Sequence, residues 1–91
     1  MTVASDTVEI VNERGLHARA SAKFVKLAQT FESEISVSCN GDTVGGTSIM
    51  GLMMLAASKG CHVTIRCEGE DAGTALFALG TLIADRFGEE I

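Results

Sequence analysis

Proline is absent from this sequence, so nearly every turn falls to glycine, the residue that tolerates the required backbone angles without strain. Basic residues are also scarce. Lysine plus arginine number 7 against 12 aspartates plus glutamates, for a formal net charge of −5. No basic run interrupts that acidity, which argues against binding a nucleic-acid phosphate backbone. The longest strongly apolar run, Ile49 to Ala57, is too short to span a bilayer, so no membrane insertion is expected. Met1 to Asp6 carries neither a basic flank nor an apolar core, and no signal peptide is read there. Cysteine is limited to Cys39, Cys61 and Cys67, without CxxC spacing or a His–x–His companion. An odd number without a secretion signal reads as reduced thiols of a cytoplasmic protein, placed as small core residues. No set of about four convergent ligands is visible, so no metal is expected, nor any cofactor. Repeats, low-complexity stretches and linkers are missing too, leaving residues 1–91 as one domain.

What is present is a core: 46% of residues are hydrophobic, enough to exclude disorder. Four segments alternate with period two, as half-buried strands do. Val8 and Ile10 oppose Thr7 and Glu9. Ile35, Val37 and Cys39 oppose Glu34, Ser36, Ser38 and Asn40. Cys61, Val63, Ile65 and Cys67 oppose His62, Thr64, Arg66 and Glu68, which puts His62 on the solvated face. Asn40-Gly41-Asp42 is a hairpin turn leading into a short edge strand, Asp42 to Gly46, that its glycines weaken.

Two segments have helical period. Ala20, Phe24, Leu27, Ala28 and Phe31 form one stripe of a helix over Ala18 to Thr30, and Ala72, Ala75, Leu76, Leu79, Ile83 and Phe87 form the stripe of a C-terminal helix. Between them Ser48 to Ser58 reads as a shorter helix, with Ser48 as N-cap and Gly60 as terminating glycine. The order β-α-β-β-α-β-α, with one polar face per strand, predicts an α+β fold: a four-stranded antiparallel sheet with three helices on its other face.

Chemistry concentrates at Gly15-Leu16-His17-Ala18-Arg19. A turn glycine precedes a histidine, and a helix begins directly after it. Helix starts present unpaired N–H groups and a positive dipole end, both suited to an anion. A neutral imidazole there can act as nucleophile, and the Arg19 guanidinium suits phosphate. A helix end is worth roughly 0.3–1 kcal/mol to an anion and a charge-assisted hydrogen bond roughly 1.5–3. Such contacts orient a phosphoryl group without trapping it, as a carrier requires. A hydrolase would need a placed base or metal to activate water, and no paired carboxylates or metal cluster stand near His17 in the sequence. The plain alternative is that His17 merely caps the helix or sits in the loop.

Gly15-Leu16-His17-Ala18-Arg19, followed by Phe24-Val25 and by Ser48-Ile49-Met50-Gly51, resembles HPr, the histidine-containing phosphocarrier family of bacterial phosphotransferase systems. The resemblance runs from about Thr7 to Phe87 and implies an open-faced β-sandwich. It implies that His17 is phosphorylated on Nδ1 by an enzyme I charged from phosphoenolpyruvate, and that the phosphate passes to an enzyme IIA domain. Arg19 becomes the phosphate-binding arginine, with the N–H groups of Ala18 and Arg19 as helix-start donors. Such a protein is a component that forms a phosphohistidine intermediate, not a stand-alone enzyme, and a monomer. Ala20 departs from the proline usual after the arginine; alanine is a good helix former, so the helix should survive with a looser start. Arg14 is a further cation nearby, either on the phosphate or in solvent.

The segment Ile49 to Ala57 is apolar nearly all round, more than a helix on an open sheet can bury. Leu52 and Leu55 are read as core. Exposed methionine adapts to differently shaped partners. The resemblance implies that the exposed face of this helix lies beside the histidine, which singles out Ile49, Met50 and Met53 as docking candidates, with Lys23 and Lys26 as cationic rim. Ser48 has two readings. One is the N-cap. The other, implied by the resemblance, is regulatory phosphorylation by an HPr kinase/phosphorylase, although Thr47 replaces the lysine frequent before that serine. Phosphate at a helix start is tolerated, so docking would weaken without refolding. Two rival classes remain: an acyl carrier using Ser48, which would be all-helical, and a non-catalytic interaction or sensing domain with His17 unused.

Overall fold

The computed structural model describes residues 2–91, leaving Met1 of the expected 1–91 unit outside the described residues. Its elements run β1 (Val3–Glu9), α1 (Ala18–Ala28), β2 (Glu34–Cys39), β3 (Asp42–Gly45), α2 (Ile49–Met54), β4 (His62–Glu68) and α3 (Ala72–Ala84), closed by a 3₁₀ turn at Arg86–Gly88. The sheet order is β1-β4-β2-β3, with every pairing antiparallel. β4 is therefore central. Its partners place Val37 opposite Ile65 and Ile35 opposite Cys67, all four buried, because side chains at alternate positions share a face. The opposite face is polar, with a Thr7–Thr64 hydroxyl pair at 2.9 Å and Arg66 on Glu68 at 3.1 Å.

α1 packs against α2 and α3, and α3 packs on β1 and β4. Ala20, Phe24, Leu52, Ala75, Leu79, Ile83 and Phe87 meet the sheet as one core, each no more than 1% exposed. This is the expected antiparallel sheet carrying three helices. Its strands remove the all-helical acyl-carrier alternative.

Four expectations need correction. β1 begins at Val3, well before Thr7, because it pairs with β4 along its whole length, Val3 opposite Glu68. α1 stops at Ala28, two residues short of Thr30, in tight turns from Thr30 to Leu27 and Phe31 to Ala28. α2 ends at Met54, not Ser58, and Gly60 does not terminate it. Ala56 turns left-handed (φ +53), after which the Ala57 carbonyl accepts from the Leu16 N–H at 3.0 Å. α3 stops at Ala84, so Phe87 reaches the core through a reversed turn instead of the helix. Cys39 and Cys67 are buried as read, whereas Cys61 is half-buried, 3.6 Å from the Ser58 hydroxyl. His62 is solvated as expected.

Candidate functional site

The loop after β1 is held from within. Asn12 is fully buried, and its Nδ2 donates to the Gly15 carbonyl at 2.9 Å and to Glu89 Oε1 at 3.0 Å. Carbonyl and carboxylate are acceptor-only, so the amide can face no other way. Its Oδ1 is buried without a hydrogen-bond partner among the described residues. Gly15 takes φ +64, with its Cα against the Ala57–Ser58 backbone. Leu16 is pinned through its N–H to Ala57 and through its carbonyl to the Ser21 hydroxyl at 3.1 Å.

His17 then follows as N-cap of α1 in extended conformation, its carbonyl accepting the Ser21 N–H at 2.9 Å. Its ring makes no capping bond, so capping is not what the side chain does. The side chain is 23% exposed, and Nε2 lies 2.5 Å from Glu89 Oε2. Nothing in the sequence pointed to Glu89. The carboxylate arrives because Arg86 (φ +57), Phe87 (φ +55) and Gly88 (φ +79) are successively left-handed. Left-handed geometry costs about 1–2 kcal/mol at each non-glycine residue. Full burial of Phe87 and a 2.7 Å hydrogen bond from Lys23 Nζ to the Phe87 carbonyl hold the reversal. Burial pushes the Glu89 carboxyl upward. Hydrogen bonds from Asn12 and His17, and the neighbouring charges of His17 and Arg14, outweigh that and hold it below the usual carboxylate range.

Around the ring, Ala18 and Arg19 are exposed and open α1 ahead of its first i→i−4 bond, from Ser21 N–H to His17. Arg19 makes no ion pair among the described residues. Arg14 is exposed and acts electrostatically on Glu89. Ala20 is fully buried in the first turn, and the helix forms there without proline. An imidazole and helix-start amides that have no partner among the described residues thus stand together at the start of α1, with the Arg19 guanidinium, unpaired among those residues, two positions on.

α2 presents the apolar surface anticipated for it. Ile49 is 40% exposed, Met50 69% and Met53 40%, whereas Leu52 and Leu55 are core. Met54, at 77%, extends the patch beyond the three residues that the resemblance singled out; periodicity could not point to it, because a helix apolar all round gives no direction. Ser48 caps α2, its hydroxyl accepting the Gly51 N–H at 2.9 Å. Lys26 is exposed in the last turn of α1. Lys23 is exposed as well, with its ammonium engaged by the tail.

Residues 4–85 match the family model described as the PTS HPr component phosphorylation site. The chain is 54% identical to a phosphocarrier protein HPr of Cupriavidus necator, over 88% of this chain and 90% of that one. It is 51% identical to one of Neisseria meningitidis, over 91% and 93%. Among solved structures it superposes on HPr-C-His of Thermoanaerobacter tengcongensis with a TM-score of 0.92 and 44% identity, covering 97% of this chain and 99% of the other.

Proposed function

We propose, from the premise that this chain belongs to the HPr family of phosphocarriers of the phosphotransferase system, that His17 Nδ1 is the atom that carries the phosphoryl group. Phospho-enzyme I, charged by phosphoenolpyruvate, is the donor, and an enzyme IIA domain of a sugar-transport or regulatory system is the acceptor. The observation that carries this reading is a partly exposed imidazole at the first residue before α1, free of capping duty. Arg19 and the amides of Ala18 and Arg19 receive the phosphoryl oxygens, since guanidinium forks and helix-start N–H groups both suit that geometry.

Docking uses the exposed face of α2, with Ile49, Met50, Met53 and Met54 as adaptable apolar contacts and Lys26 at the rim. Lys23 contributes there only by yielding its hydrogen bond to the tail. The unit works in the cytoplasm; no helix among the described residues is long and apolar enough to cross a membrane. Ser48 is the regulatory position, where phosphate from an HPr kinase/phosphorylase would add about 1.5–2 negative charges beside Ile49 and weaken docking.

Intact mass after incubation with enzyme I and phosphoenolpyruvate tests the assignment. One acid-labile phosphate on the wild type and none on His17→Ala is expected. A protein that gains no phosphate, and whose His17→Ala variant keeps its downstream effects, would be the interaction domain instead.

A further inference from the structure

The tail carboxylate has a job the docking and phosphate contacts do not explain. We infer that Glu89 is a positioning residue, which locks the His17 proton on Nε2 and so leaves the lone pair on Nδ1 as the nucleophile. This rests on His17 being the phosphoryl acceptor, the reading given above. An ionised carboxylate only accepts hydrogen bonds. With Glu89 Oε2 at 2.5 Å from Nε2, the single proton of the ring, in its neutral form, lies on Nε2, and in that form Nδ1 is unprotonated. Glu89 itself cannot turn away, because Asn12 Nδ2 holds its other oxygen at 3.0 Å. Asn12 is in turn fixed by Gly15. The chain from the loop turn to the ring is thus continuous.

The same contact serves the transfer step. The Nδ1 lone pair forms the bond to phosphorus, and the bond from phosphorus to the donor breaks with its electron pair leaving on the donor. The ring then holds a P–N bond on Nδ1 and a proton on Nε2, a cation that needs no proton loss because Glu89 faces it. When the phosphoryl group departs to an acceptor, the pair returns to Nδ1 and the ring is neutral again. Three successive left-handed residues, Arg86 to Gly88, are the local cost of bringing this carboxylate to a residue 72 positions earlier in the chain.

The test is ¹⁵N-histidine NMR on the full chain, together with the rate of phosphoryl acceptance from phospho-enzyme I. Wild type is expected to show His17 as the Nε2–H tautomer, with a ring proton slow enough in exchange to be seen. Glu89→Ala should lose that proton signal to water and admit the Nδ1–H form. Its acceptance rate at saturating donor should fall about tenfold, with the KM for donor unchanged, as expected for a lost charge-assisted hydrogen bond that orients rather than binds. Glu90→Ala, on the exposed neighbour, should match wild type in both. A wild-type ring protonated on Nδ1, or a Glu89→Ala variant with unchanged tautomer or unchanged rate, overturns the inference. A ring that behaves as described in a protein that never takes up phosphate upholds the role of Glu89 on the ring and rejects the carrier reading.

Discussion

Gly15→Ala probes how the nucleophile is aimed, because Gly15 is where the loop touches the rest of the fold. A Cβ there would sit 2.4 Å from the Ala57 carbonyl oxygen and 2.8 Å from the Ser58 Cα. Both are backbone atoms, so no side-chain rotation relieves the contact. The left-handed φ of +64 adds about 1–2 kcal/mol for any residue with a Cβ. Moving the Ala57 segment away gives up the Leu16 N–H hydrogen bond, worth about 0.5–1.5 kcal/mol. Reduced freedom of the unfolded chain returns about 0.4–1 kcal/mol. These contributions net to a loss of about 0.5–3 kcal/mol, with the backbone overlap pushing toward the upper end, against a total of roughly 5–14 expected for a chain of this length. Urea unfolding should show a lower midpoint at unchanged slope, and phosphoryl acceptance should fall because Leu16 directly precedes His17. Gly80→Ala, inside α3 with open space around its Cβ position, should instead stabilise by about 0.5–1 kcal/mol. If Gly15→Ala lies within about 0.5 kcal/mol of wild type, the loop is not held as described.

Phe24→Ala should cost about 3–5 kcal/mol in urea unfolding, since the ring is 1% exposed at the centre of the core. Ser48→Ala should lose about 0.5–2 kcal/mol with the α2 cap, whereas Ser48→Asp should retain most of the stability and bind enzyme I more weakly in calorimetry. Met50→Ala should leave unfolding within about 0.5 kcal/mol of wild type while weakening the same binding. Asp71 accepts from the Ser33 hydroxyl and from the Ser33 and Glu32 N–H groups, and the Ser33 hydroxyl contact leads in holding its carboxyl below the usual range. A depressed folded pKa stabilises above the ordinary aspartate value and loses that contribution as pH falls through the depressed one. Wild-type stability should therefore drop on acidification below about pH 4, and Asp71→Asn should flatten that limb.

β2 and β4 were readable because each buries one face: Val63, Ile65 and Cys67 alternate with polar neighbours over the full length of β4. The end of α2 was not, because Ile49 to Ala57 is apolar on every side and period alone cannot mark a stop. A tertiary hydrogen bond, Leu16 to Ala57, sets it. Phe87 sits at i+4 from Ile83 and satisfied the helical stripe, yet the chain reverses before reaching it. His17, Arg19 and Ser48 carry local signals, a glycine before and a helix after. Glu89 carries none. It is one acidic residue in an acidic tail, and only the fold brings it to the ring. Asn12, between β1 and the turn at Gly15, could have been noticed as a turn residue, though not as the clamp on that carboxylate.

Passage of one phosphate through His17 is the claim on which everything else depends, and a chase experiment reads it directly. The protein is charged with labelled phosphate from phosphoenolpyruvate through enzyme I, freed of donor, and mixed with an enzyme IIA domain of the same system. The label should leave this chain and appear on the IIA domain, and His17→Ala should never acquire it. Label that stays in place, or is shed only as inorganic phosphate, would contradict the account.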